Sequence, residues 1–400
     1  MSSGYLALLL HAHLPYVRHP EHARFLEESW LFEAIIETYI PLLQAFERLQ
    51  TEGIRFRLTL SLSPTLISML QDELLRQRFL QHLQRLLGLA RREHQRKHAD
   101  YRTQAMAARY LRLFEETSDL YQETYQQDLV GAFGRLQQSG ELEIITTAAT
   151  HGFLPLLRTE SGTIRAQLAV AAETYEETFG HPSPGIWLPE CGYYAGLEEM
   201  LAEYRFRYFI VDTHGLLHAD ETPWHGIAAP LACPNGIAAF GRDPDSSKQV
   251  WSSREGYPGD PWYREFHRDI GVDRPAHEVE AFLLDDGSRT PTGIKYFRVT
   301  HQGNSKQPYE PARAAERVQA HAQDFLHKRQ QAVSQLGVRM ERPPILVAPY
   351  DAELFGHWWY EGPQWLARLI RHCLLYTSPS PRDPRGDLVC RLLLEKGGGG

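Results

Sequence analysis

The stretch YLALLLHAH, residues 5–13, sets the reading of the whole chain. Six apolar residues, Tyr5 to Leu10, are too few for a helix and suit a buried strand. His11 and His13 come directly after, two residues apart, so an extended segment turns both to the same side. The same syntax recurs along the chain: a short apolar run, a polar group at its end, then a helical stretch. Strands are expected at Tyr5–Leu10, Arg55–Ser61, Leu142–Thr147, Gly185–Leu188, Tyr208–Asp212, Ile237–Phe240 and Ile345–Ala348, with Lys295–Thr300 as a further candidate. Strands alternating with amphipathic helices predict an α/β fold, a parallel sheet with helices outside. Seven or eight such units over about 370 residues predict a (β/α) barrel with insertions. One insertion is a helical stretch at about 64–138, too long for a single crossover helix. A second, at about 241–291, is rich in Gly, Pro, Asp and aromatics, the composition of functional lids. The segment 373–400, with Ser-Pro repeats and a terminal Gly run, fits no barrel unit and reads as an irregular tail, disordered or foreign to the native protein.

The bulk numbers exclude several classes. A net charge of −8 on 400 residues argues against nucleic acid, whose footprint is a basic stripe, and suits a neutral substrate. Four cysteines show no CxxC pair and no metal-ligand spacing. The Tyr5–Leu10 run lacks a basic flank and an A-x-A site, so no signal peptide is expected. No 18-residue apolar stretch exists, so no membrane partner is expected either. A cytoplasmic, reduced protein is therefore the expectation.

A barrel gathers its chemistry at the C-terminal ends of its strands. The groups expected there are His11 and His13, His151, Glu190, Asp212, Arg242 and Asp351. Two carboxylates stand out. Glu190 in GIWLPECGYY is flanked by Trp187 and two tyrosines; its plain alternative is a capping or salt-bridged residue. Asp351 in APYDAELFGHWWYEGP has helix N-capping as its plain alternative, and Glu353 is its local competitor. Two carboxylates facing across a sugar are the equipment of glycoside chemistry: one attacks the anomeric carbon, the other donates and then takes a proton. For the histidines three readings stand: hydrogen bonding to sugar hydroxyls, a metal site of His11 and His13 with His151 or Asp212, or packing. No HxxE or HxxxH spacing supports the metal, so neither metal nor cofactor is expected. Trp251, Tyr257, Trp262 and Tyr263 in the second insertion, and Trp358 and Trp359 after Asp351, supply flat faces for stacking on glucose rings.

The blocks HAHLPY (11–16), THGFLPLL (150–157), GIWLPECGYY (185–194), YPGDPWYREFHRDIG (257–271) and APYDAELFGHWWYEGP (348–363) resemble, in order, motifs of glycoside hydrolase family 57, most closely its 1,4-α-glucan branching-enzyme group. The resemblance implies an incomplete (β/α)7 TIM-like barrel over residues 1–372 and a retaining mechanism without metal. It implies Glu190 as nucleophile, Asp351 as general acid/base, and His11, His13 and His151 as sugar contacts. Trp187, Asp212, Arg242, Trp251, Tyr257, Tyr263, His357 and Trp358 complete the expected substrate-binding set, with an α-glucan as substrate. A mobile loop within 241–268, tipped by Tyr257 or Tyr263, is expected to disfavour water as acceptor. The tail does not resemble the C-terminal helical domain of such family members, so that domain is expected to be missing. Alternatives are an α-amylase or 4-α-glucanotransferase with the same residues, a metal-dependent polysaccharide deacetylase, and a non-catalytic glucan-binding protein.

Overall fold

The computed structural model describes residues 4–377 apart from 98–99, 253–254, 285 and 301–305. Its eight strands are β1 (Tyr5–Ala12), β2 (Leu58–Leu62), β3 (Leu142–Thr147), β4 (Gly185–Trp187), β5 (Tyr208–Val211), β6 (Leu231–Ala232), β7 (Ala238–Gly241) and β8 (Ile345–Asp351). They form one curled sheet in the order β6-β7-β5-β4-β3-β2-β1-β8, in which only the β6–β7 pair is antiparallel. The seven parallel strands make an incomplete barrel. Between β7 and β8, among the described residues, there is one isolated bridge, from Arg242 just past β7 to Val347, backed by the Asp243 N–H donating to the Val347 carbonyl at 2.8 Å.

Strand alternation divides β1 cleanly. Leu6, Leu8 and Leu10 pack outward against helices, while Ala7 and Leu9 join Ile145, Tyr208, Ile210, Phe240 and Val347 in the barrel interior. His11 continues the inward series one layer higher, as Asp351 does after Ile345, Val347 and Pro349. In register, His11 lies beside Asp351 on one side and Ser61 on the other. Two inward polar residues on adjacent strands therefore reach the mouth at one level.

The 64–138 insertion is helical: Pro64–Gln71, Glu73–Gln95, Tyr101–Asp119 with a π-helical extension Leu120–Thr124, and Leu129–Ser139. Asp72, Asp100 and Asp128 cap three of these helices by accepting the N–H of Leu75, Thr103 and Gly131, contributing about 1 kcal/mol each. Between β1 and β2 a helix from Glu28 to Thr51 carries a π turn at Ile35–Tyr39.

Three expectations need correction. Lys295–Thr300 is no strand of the sheet; within it Phe297 and Arg298 make only isolated bridges, to Pro308 and Arg264. That insertion is also less irregular than its composition suggests, containing the helix Pro244–Trp251 and several single turns. The limit expected at 372 falls inside the helix Gly362–Thr377, so residues 373–377 are not irregular; the rest of the expected tail, 378–400, lies outside the described residues. No helix among the described residues is long and apolar enough to cross a membrane.

Candidate active site

A cavity of about 490 Å³ opens at the C-terminal ends of β4, β7 and β8. Its walls include Trp187, Glu190, Cys191, Arg242, Trp251 and Asp351. Both carboxylates expected to carry chemistry therefore face one space. Each opens onto it: Glu190 and Asp351 are exposed to the cavity while the residues around them are buried.

The route of Glu190 into the cavity is a backbone device. After β4 the chain turns through Pro189–Cys191, where Glu190 (φ 53°) and Cys191 (φ 54°) take left-handed backbone. His151, after β3, does the same at φ 56°. Among the described residues six non-glycine residues adopt positive φ, and three of them are at this mouth. Each costs about 1–3 kcal/mol and persists only where the surroundings impose it, a concentration typical of functional sites. Gly192 closes the turn under the ring of Phe153; a Cβ there would stand 2.3 Å from that ring.

The electrostatics separate the two carboxyls. Crowding by the cavity walls, then the negative charge of Glu190, push the Asp351 carboxyl up to about 6, with the Arg242 guanidinium opposing. Glu190 and Asp351 thus act on each other through space. Burial pushes the Cys191 thiol up to about 12, so it stays a neutral wall. A group protonated near neutrality beside a second carboxylate is the arrangement that divides acid and nucleophile roles.

The three histidines form a stack beside this cavity. His13 and His151 lie 4.2 Å apart between ring centroids, His11 and His151 4.8 Å, and His11 stacks on Trp187 at 5.1 Å. One of the His11 and His151 Nε2 atoms donates to the other at 2.9 Å, while Ser61 and Ser63 bond the Nδ1 atoms of His11 and His13. Burial, then the neighbouring imidazoles, hold His11 well below the usual imidazole range, and burial with His151 holds His13 at about 3. His151 is lowered by burial against the pull of Glu190. All three are neutral at pH 7 and offer N–H or lone pair without added charge. The indole N–H of buried Trp187 has no protein acceptor.

The remaining expected residues divide. Arg242 and Trp251 line the cavity, Trp251 at the end of the helix Pro244–Trp251. Asp212 caps the short helix Thr213–Leu217, its carboxylate accepting the Thr213 N–H at 2.6 Å. His357 bonds Glu37 at 2.7 Å and does not line the cavity; Trp358 is 54% exposed and stacks on Phe266. Trp359 is core. Tyr257 and Tyr263 are corrections. Both are buried against the helix Pro311–Gly337, Tyr257 donating to Asp324 at 2.7 Å and Tyr263 bonding His321 at 2.8 Å. Their apolar rings and hydroxyl partners anchor the insertion, so neither tips a loop. The insertion instead supplies Ser247, Lys248 and Trp251 to the cavity, a spacing of three and four residues that was readable as one helix face. Sequence reasoning passed over that signal, and also over Cys191.

Among the described residues, Glu33, Glu37 and His357 bring three ligand-type atoms within 4.8 Å. Their charge is already met within the protein: Lys295, Arg264 and His357 hold Glu37 at about 2 against its burial, while burial and Glu37 push Glu33 up to about 8.

Comparisons with known proteins identify the family and the overall fold. The family model described as "Glycosyl hydrolase family 57" matches residues 7–371. A 1,4-alpha-glucan branching enzyme of Thermococcus kodakarensis is 36% identical over 93% of this chain, which spans only 56% of that relative's length. A probable 1,4-alpha-glucan branching enzyme of Mycobacterium tuberculosis is 32% identical over 92% of this chain and 68% of its own. Among solved structures, the alpha-amylase AmyC from Thermotoga maritima superposes with a TM-score of 0.90 at 43% identity, covering 96% of this chain and 73% of its own. A branching enzyme from Pyrococcus horikoshii superposes at 0.79 with 36% identity, covering 93% and 67%.

Proposed function

The chain belongs to glycosyl hydrolase family 57, and from that premise we propose that it is a 1,4-α-glucan branching enzyme, a retaining transglycosylase with Glu190 as nucleophile and Asp351 as general acid/base. The observation that carries this reading is the pair of carboxyls on one sugar-sized cavity, with Asp351 raised by Glu190.

Glu190 attacks the anomeric carbon of an α-1,4-linked glucose. The bond from that carbon to the leaving oxygen breaks, and Asp351 delivers its proton to the oxygen. A glucosyl ester on Glu190 remains. In the second step the 6-hydroxyl of another chain attacks the same carbon, Asp351 takes the hydroxyl proton, and Glu190 leaves as carboxylate. Two inversions give net retention and an α-1,6 bond. The electrostatics support the cycle: esterification removes the charge of Glu190, and with it one cause of the raised Asp351 carboxyl. Asp351 is thus a protonated acid when one is needed and a carboxylate when a base is needed. The neutral histidines and the Trp187 N–H are the donors proposed for the sugar hydroxyls, and Trp251 the stacking platform. The setting for this reaction is cytoplasmic α-glucan or glycogen synthesis.

The test is amylose incubated with the protein. Branching lowers iodine staining without releasing reducing ends, and isoamylase then frees short chains. Staining lost together with released reducing ends supports the second reading, an α-amylase, which the high identity to the Thermotoga maritima alpha-amylase favours.

A further inference from the structure

Behind Asp351 the chain makes a tight turn, Ala352–Leu354, whose middle residue is a buried carboxyl, Glu353. Three elements meet on it. The Tyr39 hydroxyl, from the π turn, donates to Glu353 Oε1 at 2.5 Å, both groups buried. The backbone N–H of His13, just past β1, faces the same carboxyl closely enough to lower its pKa, as does the N–H of Glu353 itself. The Asp351 carboxyl is close enough to act on it electrostatically.

The contact is one stitch in a longer seam. Gly356, at φ 115°, lies against the π turn so closely that a Cβ would stand 1.7 Å from the Glu37 carbonyl oxygen. His357 then bonds the Glu37 carboxylate at 2.7 Å. A π turn inside a longer helix is an uncommon distortion, frequent at functional sites. Here it brings Glu37 and Tyr39 together onto the turn behind Asp351. The cavity does not reach Glu353, so this group does not touch substrate.

We propose that Glu353, held by Tyr39, is a positioning residue that ties the acid/base turn at Asp351 to the histidine segment at His13, so that the proton donor and the sugar-binding edge keep one geometry. The inference rests on the glucan-transfer reading above. Burial, opposed by the Tyr39 hydroxyl, pushes the Glu353 carboxyl up to about 8, so it is a neutral group at neutral pH and a glutamine is its close substitute.

Three variants test the assignment: Glu353→Ala, Glu353→Gln and Tyr39→Phe, each checked for folding by thermal melting. Glu353→Ala is expected to lower kcat at least tenfold with KM within twofold. Its alkaline pH limb should move to lower pH by about half a unit, because a loosened Asp351 turn admits water. Glu353→Gln should restore the limb and at least a third of kcat. Tyr39→Phe should move the limb the same way with a smaller loss, and it carries the test if the alanine variant does not fold. A folded alanine variant with wild-type kcat and limb overturns the proposal. So does equal loss in both Glu353 variants with an unmoved limb, which marks mere packing. If the wild type makes no product from amylose, the glucan reading fails on its own. The Asp351 carboxyl is then titrated directly by ¹³C NMR, where the same displacement in Glu353→Ala upholds the proposal and its absence overturns it.

Discussion

Replacing Glu190 by Gln removes one charge and almost no volume, so it isolates the coupling between the two carboxyls. Asp351 stands at about 6 against an ordinary 3.8, a rise of about two units (6 − 3.8), equivalent to about 3 kcal/mol between its two protonation states. Crowding is the larger cause and Glu190 the second, with the Arg242 guanidinium opposing both, so the charge of Glu190 is the smaller of the two raising causes. The open side of Asp351 lets water and salt screen part of this. The expected result is an Asp351 carboxyl that titrates below its wild-type value of about 6 in Glu190→Gln, with a smaller displacement at high salt. The variant cannot be read by turnover, because the proposed nucleophile is gone. The assay is ¹³C NMR titration of aspartate-labelled protein, the Asp351 signal being assigned by its loss in Asp351→Asn. An Asp351 titration unmoved within about 0.2 unit would mean that the two groups are too far apart to share a sugar.

In the wild type, kcat/KM should fall as pH rises through about 6, because Asp351 must be protonated for the first step; a limb above pH 8 contradicts its role as acid. Acid should destabilise the fold through His13, which stays neutral down to about 3 when folded but takes a proton near 6.5 when unfolded. Its stabilising contribution is therefore complete above pH 6.5 and falls by about 2 kcal/mol on going to pH 4.5. Thermal melts should show that loss, and His13→Asn should remove it. Gly356→Ala should cost more than about 2 kcal/mol, since a Cβ meets the Glu37 carbonyl and the backbone is left-handed; an unchanged melting temperature refutes the seam. Trp251→Ala should raise KM for glucan several-fold with kcat nearly kept; a selective loss of kcat would remove it from the platform role.

Much of the architecture was legible because its signals are local. Leu142–Thr147 has the bounds expected of it, and the other parallel strands begin or end within three residues of expectation. β1 and β8 run past their apolar runs because the ladder continues through His11, Pro349 and Asp351, where function has replaced hydrophobicity. β6 was missed, being two residues long and antiparallel. Lys295–Thr300 was read as a strand because Tyr296, Phe297 and Val299 mimic one, whereas Tyr296 is buried against Tyr110 and Glu93 of the 64–138 helices. The two carboxyls and three histidines were legible because each stands at or just beyond the C-terminal end of a strand. Tyr257 and Tyr263 were misread because an aromatic in a Gly/Pro-rich stretch gives no sign of whether its ring faces a cleft or a helix. The Tyr39–Glu353 bond joins residues 314 positions apart, and a π turn leaves no mark in a 3.6-residue period, so neither was visible before the fold.

A retaining mechanism stands or falls on a covalent bond to one residue. A 5-fluoro-α-glucosyl fluoride should slow hydrolysis of the glycosyl ester enough to trap it, and peptide mapping by mass spectrometry then reports its site. The added mass is expected on Glu190, within GIWLPECGYY, with none in Glu190→Gln. An adduct on Asp351 or Glu353, or steady turnover with inverted product and no adduct, contradicts Glu190 as the nucleophile.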